Sequence, residues 1–361
     1  MIYAFAGFFT GFYGLSVFCV FIIAVLCREF RLPNFALLCS IFIIIVLSFL
    51  YGFRSIDSGT DTVIYHAWFD SISKGSTNRE FEPFFVLFGH FVNLFTNDAF
   101  IFIFIVSIIQ LLYVFKASLS LSGIIVVPLS LVISVSFLSG VDLISNTIRN
   151  GLSIAISSYA VIRYLGGAGI VKYLIIIMIS SMMHSSCIIF MIIPVVRRFL
   201  NEKYALRVFY TYVFIYLLSF LNVFEFLFYS LNNIGVGALH VVDRIIAFKV
   251  QDIDMLGGSM KYYFFVITLI PFLLIKFGFY VNKQLFTIHY VLLIPYAIIF
   301  LSPSSYRFSY ISFYICVFII AQAVYDSKSL LNRLLIYFAI LAMILLTYTT
   351  NTMVNYKHVI Y

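Results

Sequence analysis

Residues 36–61 read ALLCSIFIIIVLSFLYGFRSIDSGTD. Eighteen apolar or small residues run to Phe53, and Arg54, Asp57 and Asp61 then crowd into the next eight positions. An α-helix needs about 20 mostly apolar residues to cross the hydrocarbon core of a bilayer, so the stretch predicts a spanning helix that ends in a polar turn at the membrane surface. The rest of the chain repeats the first half of that pattern. Of 361 residues, 63% are hydrophobic and 10% charged, with 43 Phe and 26 Tyr and a mean hydropathy of +1.11. That leaves too little polar surface to cover a water-soluble globule. The short alternating segments of an outer-membrane barrel do not appear. The expected fold is all-α and polytopic, with about 10–12 transmembrane or re-entrant helices in one membrane domain over residues 1–361.

The first apolar run, from about Phe5 to Leu26, has no basic residue before it and no small-residue cleavage site after it, so it reads as a retained span. Cys19, Cys27, Cys39, Cys187 and Cys316 occur singly, without a C-x-x-C pair or His partners at ligand spacing, so neither a disulfide framework nor zinc is expected. A net charge of +8 on such a chain reports basic residues that hold loops on the cytoplasmic side, and it is poor evidence for nucleic acid binding.

Candidate spans fall near 5–26, 36–53, 99–115, 123–139, 149–165, 205–221, 262–281, 287–302, 306–325 and 332–349. The runs 83–95 and 172–196 are ambiguous. Arg28 and Arg31 follow the first span and put the RSIDSGTD loop outside. If 83–95 only dips into the outer leaflet and 172–196 is a re-entrant hairpin with its tip near His184, then Lys116, Arg163, Lys172, Arg197, Arg198, Lys203, Lys283, Lys328 and Arg333 all fall inside. A straight span over 172–196 is the alternative. In the hairpin topology the 54–82 loop, SNTIRN at 145–150, MHSS at 183–186, the 222–261 loop and Arg307 gather on the outer face.

Each group also has a plain structural reading. Asp57-Ser58-Gly59-Thr60-Asp61 has the chemistry of a capped turn before an interfacial helix, with Tyr65, Trp68 and Phe69 at headgroup level. Arg54 beside two carboxylates instead suggests phosphate binding next to a base or orienting group. Asn146, Arg149 and Asn150 stand at i, i+3 and i+4, which would make an anion clamp on one helical face or a snorkelling Arg with an N-cap. His184 in an apolar run is either a core hydrogen bonder or a functional ionisable group. Arg307 opens a Tyr-rich helix on the outer face, where it implies an anionic partner or an ion pair. His240, Asp243, Arg244, Lys249, Asp252 and Asp254 form no motif and read as a solvated loop.

Taken in order, Arg54, Gly59-Thr60-Asp61, Tyr65, Glu82, Asn146-x-x-Arg149-Asn150, His184-Ser185 and Arg307-Phe308 resemble the EpsG family of Wzy-type polysaccharide polymerases, over about residues 40–325. That family commonly has Gln where this chain has Asn150. The resemblance implies a GT-C-like bundle in the bacterial inner membrane, with its site on the periplasmic face. It implies transfer of a growing glycan from undecaprenyl pyrophosphate to a lipid-linked repeat unit, with no nucleotide sugar; Asp57, Asp61 and Glu82 could hold a divalent ion, but neither a metal nor a cofactor is expected. A flippase and a chain-length regulator would be partners. Arg54, Arg149 and Arg307 would contact the pyrophosphate, and Asp61 or His184 would activate the acceptor, with Glu82 and Tyr65 behind them. Asn146, Asn150, Gly59, Thr60 and Ser185 would complete the substrate contacts. The competing readings are a flippase for lipid-linked oligosaccharide, which should show internal pseudo-symmetry, and a membrane acyltransferase acting on surface glycans.

Overall fold

The computed structural model describes residues 12–54, 56, 61–75, 81–197, 204–224, 226–227, 257–300 and 305–349. Asp57, Gly59, Thr60 and the six polar residues picked out between 240 and 254 lie outside these. Every regular element among the described residues is helical, and the chain is an all-α polytopic membrane protein. Five described helices are long and apolar enough to cross a membrane: Tyr13–Phe30, Pro33–Gly52, Ala99–Ser122, Tyr306–Asp326 and Leu330–Tyr348. The chain divides into two compact units, residues 1–191 with 321–361 and residues 192–320.

In the first unit, helices α1 (Phe12–Phe30) and α2 (Pro33–Gly52) are antiparallel. The Tyr13 hydroxyl donates to the Leu50 carbonyl at 2.9 Å. Short helices α3 (Thr62–Ser73) and α4 (Pro83–Asn93) follow, and then α5 (Ala99–Ser122), which Asp98 caps by accepting the Phe100 N–H at 2.7 Å. At 11 residues, about 16 Å, α4 is too short to cross. The first turn of α5 comes back to the end it started from, where Phe100 packs on His66 at 4.4 Å and on Phe53 at 6.5 Å. The expected contact of the α3 aromatics with headgroups is not made: Tyr65, Trp68 and Phe69 are 2%, 3% and 0% exposed. Trp68 stacks on Phe85 at 5.3 Å and Phe69 on Phe102 at 4.6 Å, so the aromatic face is buried by protein rather than by headgroups.

Three expected straight spans are broken. The 123–139 run gives α6 (Val127–Ser136) and α7 (Leu138–Ser145), bent by 88° at Phe137, whose extended backbone interrupts the helix. No proline sits at this bend. Ser134 and Ser136 donate to the carbonyls of Leu131 and Val132, and such local bonds weaken a helix. The carbonyls left at the end of α6 are met from outside, that of Ser136 by Thr347 at 2.9 Å and that of Val135 by Tyr348 at 3.2 Å. The 262–281 and 287–302 runs break at Leu269 and Leu293, two residues ahead of Pro271 and Pro295.

After α7 come α8 (Ile148–Leu165) and α9 (Ile170–Met183). His184 is extended and ends α9, and a 3₁₀ helix continues over Ser185–Ile192. The Tyr173 hydroxyl donates to the Phe190 carbonyl at 2.6 Å. In a straight helix those residues would stand about 25 Å apart, so the chain folds back near His184 as a hairpin. The unit closes with α18 (Leu330–Thr349), in a numbering that counts the second unit's helices as α10 to α16 and Phe313–Asp326 as α17. Its Tyr348 hydroxyl lies 2.5 Å from that of Tyr51, and its Arg333 pairs with Glu29 at the far end of α1.

These contacts order the ends of the helices. Arg54, Asp61, Glu82, Arg149 and His184 share one end of the first unit. Arg28, Glu29, Lys328 and Arg333 share the other, and Lys116 and Arg163 lie roughly 20–25 Å along α5 and α8 towards it. In the second unit, α11 (Ala205–Phe220) packs on α14 (Lys283–Leu292) and α15 (Ile294–Ile298). The carbonyl at the Leu269 break, on Thr268, accepts from the Tyr290 hydroxyl at 2.9 Å.

Candidate active site

Arg54 ends α2 at 1% exposure. Its guanidinium donates to the carbonyls of Tyr51 and Ser145 and, at 2.9 Å, to Thr62 Oγ1. One side chain thus ties the end of α2 to the start of α3 and the end of α7. Gly52, at the end of α2, lets that helix seat against α5, since a Cβ there would collide with the Phe104 backbone.

The centre of the cluster is a carboxylate. Glu82 precedes Pro83 at the start of α4, with an extended backbone that suits the residue before a proline. Its Oε2 pairs with Arg149 Nη1. Its Oε1 lies 3.0 Å from His184 Nδ1 and accepts the Ser185 backbone N–H at 3.3 Å. Burial pushes the Glu82 carboxyl up, but the His184 hydrogen bond and the Arg149 charge outweigh it and hold the pKa at about 2. A carboxylate ionised at neutral pH can only accept, so His184 donates from Nδ1 and turns its other nitrogen outward. Nε2 has no partner among the described residues, and the side chain is 26% exposed.

Arg149 is held on three sides. Nη1 meets Glu82, Nε donates to the Tyr65 hydroxyl at 3.4 Å, and the guanidinium lies 4.1 Å over the Phe81 ring. Nη2 is the corner with no partner among the described residues. Burial raises the Tyr65 phenol above its ordinary pKa and Arg149 pulls it back only in part, so it is neutral at pH 7 and can accept from Nε.

Asn146, Arg149 and Asn150 do not share a helical face as the spacing predicts. Asn146 ends α7, before α8 begins, and its side chain reaches the other way. Its Oδ1 accepts the Asp61 N–H at 2.8 Å and its Nδ2 donates to Asp142 Oδ1 at 3.0 Å. Asn150, 8% exposed, accepts from Ser186 at 3.1 Å. Gly151 lets α8 seat under α7, because a Cβ there would run into the Leu143 carbonyl.

Asp61 stands at the N-terminus of α3, and its side chain does not cap that helix. Arg307 belongs to the second unit, on a short helix with its guanidinium 6.0 Å from the Tyr306 ring. Three contributors were not singled out in the sequence: Phe81, Asp142 and Ser186. Of these, Asp142 carried a usable signal, an acid four residues before Asn146 inside an apolar run. Among the described residues no three His, Cys, Asp or Glu side chains gather to hold a metal ion.

The structure therefore brings Arg54, Asp61, Tyr65, Glu82, Asn146, Arg149, Asn150, His184 and Ser185 to one end of one unit. No curated protein and no solved structure matches the chain. A model of the EpsG family matches residues 37–358, a range that holds every residue of this cluster. The chain belongs to the EpsG family, a membrane-integral family of polysaccharide-polymerase type.

Proposed function

We propose that this protein extends a bacterial surface glycan at the outer face of the cytoplasmic membrane, transferring the growing chain from undecaprenyl pyrophosphate to a lipid-linked repeat unit. The observation that carries the reading is the shared carboxylate. Glu82 holds Arg149 and His184 side by side and leaves each with one nitrogen that has no partner among the described residues.

Glu82 itself, with its pKa at about 2, is a poor base. Its role is to orient. His184 Nε2 takes the proton of the acceptor hydroxyl as that oxygen bonds to the donor's anomeric carbon, and the bond from that carbon to the pyrophosphate oxygen breaks. Arg149 Nη2 meets the charge that develops on the departing pyrophosphate, from a guanidinium already fixed by Glu82, Tyr65 and Phe81. Asp61 orients the acceptor sugar through its carboxylate. Arg54 braces the helix ends and is too buried to meet substrate. The basic residues at the opposite end of the first unit support an outward-facing site, since Lys and Arg mark cytoplasmic loops. No nucleotide sugar, cofactor or metal takes part in this scheme.

The test is glycan length on a gel, from cells lacking the gene and complemented with wild type, His184→Gln or Arg149→Ala at matched membrane levels. Single-repeat glycans with either variant support the polymerase. Loss of all surface repeats points to a flippase, and normal long chains reject the assignment.

A further inference from the structure

The bend at Phe137 turns α7 across the end of the unit and places Asp142 within hydrogen-bonding reach of Asn146 and Thr147. The Asp142 carbonyl accepts the backbone N–H groups of both, each at 2.8 Å, which ends α7 and makes a corner into α8. Its carboxylate does something the corner does not need. Oδ1 accepts from Asn146 Nδ2 at 3.0 Å, and Asn146 Oδ1 accepts the Asp61 N–H at 2.8 Å. A carboxylate offers no donor, so it can pair only with the NH₂ end of the Asn146 amide. That sets the rotation of the amide and obliges its oxygen to face Asp61. The Asp61 carbonyl in turn accepts the Tyr65 N–H at 3.0 Å, one turn before the hydroxyl that receives Arg149 Nε.

We infer that Asp142 is a positioning residue for Asp61, acting through the side chain of Asn146. The inference rests on the proposed function for its effect on turnover, because Asp61 is there the group that orients the acceptor. The bent helix then has a purpose: through Asn146 it supplies an acceptor for the Asp61 N–H at the start of α3.

The experiment compares Asp142→Ala, Asp142→Asn and Asn146→Ala in full-length protein, alone and combined with Asp61→Asn, by elongation rate and by amide hydrogen exchange over residues 61–65. Asn at 142 keeps an acceptor oxygen for Asn146 but also brings a donor, so the amide is no longer held one way round and Asp142→Asn is expected between wild type and Asp142→Ala. Asp142→Ala should slow elongation by about two- to tenfold, the worth of one hydrogen bond. In the Asp61→Asn background, Asp142→Ala should add no further loss. Losses that multiply, or an Asp142→Asn as slow as Asp142→Ala, overturn the inference. A fully active Asp61→Asn removes Asp61 from the proposed chemistry, and the exchange measurement then decides. Exchange at Asp61 about two- to tenfold faster in Asp142→Ala upholds the positioning, and exchange unchanged from wild type rejects it.

Discussion

Two glutamates in the first unit each pair with an arginine, at opposite ends of the helices, and they are spent differently. Glu29 gives both oxygens to Arg333, at 2.9 Å to Nε and 2.8 Å to Nη2, and also accepts the Tyr337 hydroxyl at 2.8 Å. The remaining nitrogen of Arg333 caps the Ser327 and Lys328 carbonyls at 3.1 Å. Every nitrogen of that arginine is engaged. Glu82 instead divides its oxygens between Arg149 and His184, so a carboxylate of the same kind leaves two nitrogens without partners among the described residues. The first arrangement is a latch between α1 and α18. The second holds reactive groups in place without using them up, which is what a preorganised site requires.

The contrast breaks most readily at the histidine. His184→Gln should lower elongation by about 10²–10⁴-fold, the range for loss of a general base, with little change in thermal midpoint; an equal fall in stability would make His184 a packing residue. Gly151→Ala tests the scaffold beneath it. The added methyl meets the Leu143 carbonyl, and a loss of about 1–3 kcal/mol in detergent unfolding is expected, with activity falling as α7 shifts. Glu29→Gln removes the latch and should cost about 1–3 kcal/mol of stability while turnover per folded molecule stays at the wild-type value. A turnover defect there would mean that the two ends communicate.

The last of these tests is a pH dependence. Glu82 has a folded pKa of about 2 against an ordinary value of 4.5. A depressed carboxyl contributes stability that is full above 4.5 and is lost as pH falls from there towards 2. Stability of the wild type should therefore drop over that window more than that of Glu82→Gln, by urea or detergent titration at each pH. Parallel curves would show that the pairing does not form.

The hairpin tip at His184 could be placed from sequence because positive charge disfavours the alternative crossing of 172–196. The broken spans could not. The 123–139 run is uncharged and mostly apolar, and hydropathy does not register that local serine bonds and two partners on α18 make a bend at Phe137 tolerable. The site was legible as a set of residue types, Arg, Asp, Glu and His standing where lipid-facing sequence has no use for them. Their division of labour was not. Arg54 and Arg149 look alike in sequence, yet one is 1% exposed with its guanidinium given to carbonyls and Thr62, and the other keeps a free corner.

By itself, then, the sequence determined the solvent, the helical class and the family, because all three depend on composition and on the order of residues along the chain. Only the tertiary structure decided that Glu82 lies between Arg149 and His184, 67 and 102 positions away, and that Asp142 reaches Asp61 through Asn146. Hydrogen bonds are satisfied over about 3 Å in space and are indifferent to separation in sequence, so the chain had to fold before its carboxylates could be told apart.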